Sequence, residues 1–97
     1  MSNQTATSEK TLVGGWTPYG PVTAEDKKVF DEALAGFVGV KYTPQSVSTQ
    51  VVAGMNYRFK CEATLPGPEP IQWEAIVEIF QPLPGQGEPH ITGITKL

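Results

Sequence analysis

Met55-Asn56-Tyr57-Arg58-Phe59-Lys60-Cys61-Glu62-Ala63-Thr64-Leu65 alternates apolar and polar side chains without a slip. A period of two puts Met55, Tyr57, Phe59, Cys61, Ala63 and Leu65 on one face and the intervening polar residues on the other, which predicts a strand half buried and half wet. Downstream, Ile71, Trp73, Ala75, Val77 and Ile79 share one side of a second strand, and Trp73 is expected in the core. The opposite side carries Gln72, Glu74, Ile76, Glu78 and Phe80, so that face is partly apolar. Pro66-Gly67-Pro68-Glu69-Pro70 breaks the chain between the two strands, and residues 82–89 break it again before a last strand over about 90–96. Upstream, a strand over about 40–50 contains Pro44, which lacks an N–H for a ladder and so needs an edge position or a bulge.

Before these strands the period is helical. Thr23 followed by Asp26 reads as a capping box, and Val29, Phe30, Ala33, Leu34, Phe37 and Val38 recur at spacings of three and four. The spacing predicts a helix over about 24–38, with Gly39 as the left-handed cap and Lys27, Lys28, Asp31 and Glu32 facing water. The expected fold is α+β, one helix wrapped by a four-stranded antiparallel sheet, or five-stranded if a short strand at 11–19 joins it.

The chain has 97 residues with 39% hydrophobic content, enough for one domain over 11–97 preceded by a polar tail at 1–10 that is expected to be flexible. A single cysteine, Cys61, cannot close an intrachain disulfide, so packing must supply the stability. Residues 1–10 lack the basic start and apolar run of a secretory signal, which predicts a cytoplasmic protein, or a secreted one if a signal peptide has been removed. Asn3-Gln4-Thr5 has the form of a glycosylation acceptor but means little without export. No apolar run of about 18 residues exists, so no membrane partner is expected. The net charge is −3 and the seven Lys and Arg residues are scattered, which disfavours nucleic acid.

Three segments could bind a partner. Gln50-Val51-Val52-Ala53-Gly54 joins two strands, and on this string alone two readings stand level. One is a locally costly turn that exposes two stiff valines; the other is ordinary strand residues with the turn elsewhere. Leu12-Val13-Gly14-Gly15 sets two apolar residues on an arm ahead of a glycine pair that can lie close to another backbone. Leu83-Pro84 forms the apolar tip of the connection at 82–89. Taken singly, these last two read as a loose lead into a strand and a plain hairpin loop.

Together the three segments, in this order and spacing behind one helix, resemble the contact segments of the cystatins, from about Leu12 to the C-terminus. Leu83-Pro84-Gly85-Gln86 and the absence of disulfide pairs are most similar to the stefins, whereas the longer tail, the Leu12-Val13-Gly14-Gly15 arm, Trp16 directly after the glycines and the loop at 66–70 depart from them. The resemblance implies a reversible, tight-binding competitive inhibitor of papain-like, cathepsin-type cysteine proteases. In that family an arm and two hairpins line up as a wedge that fills the protease cleft. Carried over, the arm is Leu12, Val13, Gly14 and Gly15, the first hairpin Gln50, Val51, Val52, Ala53 and Gly54, and the second Leu83 and Pro84. The resemblance implies no cofactor and no metal. A monomer is expected, with a domain-swapped dimer as a secondary form should the valine-rich hairpin be strained.

Two other classes compete. An enzyme would have to use Cys61 and His90, the only thiol and the only imidazole, yet Cys61 alternates in phase with the apolar face and His90 opens the last strand. One Cys and one His also fall short of a tetrahedral metal site. The remaining alternative is a binding module of the same fold without inhibitory activity, in which Trp16, Trp73 and Phe80 form an unrelated apolar contact.

Overall fold

Residues 15–97 are described by the computed structural model. Leu12, Val13, Gly14 and the tail at 1–10 lie outside the described residues. The ordered elements are α1 (Ala24–Ala33), β1 (Lys41–Val52), β2 (Gly54–Leu65), β3 (Ile71–Gln81) and β4 (His90–Lys96). The strands form one antiparallel sheet in the order β1-β2-β3-β4.

The alternation in β2 becomes burial. Tyr57, Phe59, Cys61 and Ala63 point into the core with Ala75, Val77 and Ile79 of β3, while the intervening residues remain partly exposed. On β1, Val47 faces Phe59 across the ladder. That alignment depends on a bulge: Pro44 pairs with Cys61 and Ser46 with Lys60, so Gln45 is the extra residue. One added residue reverses the side to which a strand's alternate positions point, and it keeps both Tyr42 and Val47 on the core side. Pro44 therefore has the bulge beside it and the edge strand around it that its missing N–H called for.

α1 starts as expected. Thr23 Oγ1 accepts from the Asp26 N–H at 3.1 Å and Asp26 Oδ2 accepts from the Thr23 N–H at 3.0 Å, an arrangement that typically stabilises a helix by about 1 kcal/mol. Val29 and Phe30 are buried, and the Phe30 ring meets the Phe59 ring edge-on at 4.9 Å. The helix is shorter than its apolar spacing predicts, because Leu34 is the C-cap and Gly36 takes φ +83. The chain thus turns five residues early, with Phe37 N–H bonded to Leu34 C=O, instead of capping at Gly39. Phe37 and Val38 leave the core stripe: Val38 is 85% exposed, and Phe37 packs on Tyr42.

Trp73 also departs from expectation. It sits on the core side of β3 but near the strand's open end, only half buried, with the Lys96 ammonium 5.3 Å from its ring centre. Among the described residues of 15–19 no strand forms. The segment touches β1 through isolated bridges, Trp16 with Gln50 and, just beyond, Gly20 with Val47.

Candidate functional site

Strand register decides which loops are neighbours. Val52 pairs with Gly54, so Ala53 alone turns the chain between β1 and β2. Met55 then pairs with Gln81, which places the start of the β3–β4 loop beside the β1–β2 tip. Leu65 pairs with Ile71, so the proline-rich loop at 66–70 occupies the opposite end. The Trp16–Gln50 bridge, continuing the antiparallel direction from Gly20–Val47, brings Gly15 to the same end as Ala53. One rim of the sheet therefore carries Gly15, Gln50 to Gly54, and Leu83-Pro84.

Between the two hairpins lies a groove of about 540 Å³. Val51, Val52 and Met55 line one side and Pro82, Leu83 and Pro84 the other, while Glu32 of α1 and Glu88 supply carboxylates. Val52 is 38% and Leu83 47% exposed, comparable with Leu65 and Ile71 at the opposite end. Leu83 and Pro84 are held out by a tight turn: the Gln86 N–H donates to Leu83 C=O at 2.9 Å, and Gly85 takes φ +81 after Pro84. Proline followed by a residue of positive φ is the signature of a type II turn.

The first hairpin is rigid from below. Asn56 Nδ2 donates to Gln50 Oε1 at 2.7 Å, and Gly54 is buried with φ +122. A Cβ on Gly54 would lie 2.5 Å from the Gln81 carbonyl oxygen and 2.9 Å from Phe80 Cζ. Phe80 thus props the first hairpin, and its ring also meets the His90 ring, centroids 5.8 Å apart. His90 Nδ1 lies 3.1 Å from Glu88 C=O, which can only accept, so Nδ1 carries the proton in this bond.

Of the two readings of Val51-Val52, the strand reading describes the backbone. Both valines belong to β1, and among the described residues only glycines have positive φ. No positive φ therefore marks Val51, Val52 or Ala53. Val51 is half buried on the groove side, and the exposed apolar surface comes from Val52 and its position at the tip.

Cys61 is fully buried, its Sγ 3.5 Å from Phe59 C=O, and burial pushes the thiol up to about 12. His90 lies at the far end of β4 from Lys96, whose partner Ala75 faces Cys61. Tyr57 donates to Gln81 Oε1 at 3.2 Å, and its pKa is raised by burial first and then by the charges of Asp26 and Glu25. Trp16, Trp73 and Phe80 make no common patch: Trp73 stands on the core side toward the opposite end, Trp16 and Phe80 on the outer side. Among the described residues no three His, Cys, Asp or Glu side chains gather as a metal site, and no helix is long and apolar enough to cross a membrane.

What sequence reasoning missed is the support beneath the rim. Phe80 is legible as an apolar residue out of phase in β3, but its role under Gly54 depends on the β2–β3 register. Glu32 reaches the groove from α1, a contact between elements that no local pattern signals. No protein-family model, curated protein or solved structure matches this chain.

Proposed function

We propose that this chain is a cystatin-like, stefin-type inhibitor of papain-like cysteine proteases, acting in the cytoplasm by reversible competition and not as an enzyme. The observation that carries the reading is the adjacency of Val52 and Leu83 across one groove, at the rim that Gly15 also reaches. Two apolar tips on preformed turns can enter a concave cleft with little ordering cost, the condition under which a modest patch binds tightly. A protease–inhibitor interface of about 1,600 Å² and nanomolar affinity corresponds to about −12 kcal/mol. A few central side chains dominate such a sum; in this reading they are Val52, Leu83 and Pro84, with Leu12 and Val13 filling subsites on the nonprimed side. The wedge blocks access to the catalytic cysteine without offering it a scissile bond.

Burying a new carboxylate at the rim costs far more than at an exposed pole. Val52→Asp and Leu83→Asp should each raise the inhibition constant for papain by about 100-fold or more, which is about 2.7 kcal/mol. Ile71→Asp, at the opposite end and 58% exposed, should leave it unchanged. Equal effects at both ends would remove the rim from the reading. Unaltered inhibition by both rim variants would do the same.

A further inference from the structure

We infer that Trp16, Arg58 and Glu78 form a positioning stack that holds Gly15 at the binding rim. The inference rests on the inhibitor reading for its consequence, though not for its geometry. The Arg58 guanidinium carbon lies 3.9 Å from the centre of a Trp16 ring, and Arg58 Nε donates to Glu78 Oε2 at 3.1 Å. Glu78 in turn pairs with Gly93 of β4, where an added Cβ would come within 3.4 Å of Glu78 Oε1. A single line of contacts therefore crosses the outer face from Trp16 through β2 and β3 to β4.

Its place explains its use. Gly15 has no side chain with which to hold its place, so the described side chain nearest the rim that can do so is that of Trp16. Below Trp16 the segment is stapled to β1: the Thr17 N–H donates to Thr49 C=O, the Thr49 N–H to Thr17 Oγ1, and buried Ser48 donates its hydroxyl to Thr17 C=O. Trp16 is the anchor nearest the rim, and the planar guanidinium lying on its ring resists rotation in a way that a backbone pair does not. Arg58 and Glu78 are both about 40% exposed, so their pairing contributes little to global stability. Losing it should loosen the segment at Gly15 and Trp16 more than the fold.

The test is a double-mutant cycle. Trp16→Ala and Arg58→Ala are measured for papain inhibition in the full chain and in the chain lacking residues 1–13. Each should weaken inhibition about 10-fold in the full chain, through faster dissociation, and have no effect in the truncated chain; Trp16→Phe, which keeps a ring, should stay close to the parent. The same loss in both backgrounds, or no loss in the full chain, would overturn the inference. Amide exchange in the free protein provides a readout independent of papain: the Thr17 N–H should exchange about 10-fold faster in Trp16→Ala and Arg58→Ala. Unchanged exchange refutes the anchor even if papain is inhibited. Faster exchange in a chain that does not inhibit papain leaves the anchor standing and sinks the inhibitor reading.

Discussion

Gly54→Ala is the sharpest perturbation of the junction between the two hairpins. Its added Cβ would lie 2.5 Å from the Gln81 carbonyl oxygen and 2.9 Å from Phe80 Cζ. The first of these atoms is backbone, fixed by the pairing of Met55 with Gln81, so relief requires the β1–β2 tip to lift away from β3. Two costs add. A side chain at φ +122 is strained by about 1–3 kcal/mol, and overpacking against a rigid neighbour costs about 1–3 kcal/mol more. A total of about 4 kcal/mol lowers the melting temperature of a domain this size by about 15–30 °C. Gly85→Ala is the control, because Gly85 also has positive φ, +81, but its Cβ would meet nothing within 4 Å. It should cost about 1 kcal/mol, the conformational term alone. Thermal melts followed by circular dichroism, with urea titration for the free energies, distinguish the two. Equal destabilisation by Gly54→Ala and Gly85→Ala would refute the close approach of Phe80 and Gln81 to the hairpin, and with it the rigid rim.

Two further outcomes test the core and its boundaries. Cys61 is raised from 9.0 to about 12, so between those values the folded state holds a proton that the unfolded state has released, and stability falls as pH rises. Three pH units correspond to about 4 kcal/mol by pH 12. Tyr57, also raised, acts in the same direction, so the comparison is between the parent and Cys61→Ala by urea denaturation from pH 8 to 11; parallel curves would show that the thiol is not buried. Phe30→Ala should cost about 3–5 kcal/mol, as expected for an aromatic ring removed from the core, whereas Val38→Ser should change stability by less than about 0.5 kcal/mol. A loss of about 2 kcal/mol for Val38→Ser would mean that residues 34–38 pack as a helix after all.

The strands are readable because alternation in Tyr57–Ala63 and Ala75–Ile79 is a direct image of burial on one sheet face, whereas Leu65 and Ile71 keep the apolar phase but lie exposed beside the loop at 66–70. Pro44 likewise announces an edge and a bulge through its missing N–H. The helix end is not readable from the same kind of signal. Leu34, Phe37 and Val38 keep helical spacing, but spacing reports only where side chains would fall if the backbone continued, and Gly36 lets it turn first. Trp73 follows the apolar phase yet lies too near the sheet's end to be covered. The nearness of the two hairpins follows from strand order, which the meander suggests; the groove between them, with Glu32 on its wall, follows from how α1 packs. Trp16 is legible as an aromatic after a glycine pair, but its partner Arg58 lies 42 residues on and is set by the bridge to Gln50. Tertiary pairing of that kind leaves no local pattern to read.

The central claim is that one rim of this sheet plugs the cleft of a papain-like protease. Titrating papain of known active-site concentration with the full chain tests it most directly. The account predicts a linear fall of activity to near zero at one equivalent, recovered on dilution. Full papain activity at several equivalents of folded protein would contradict it.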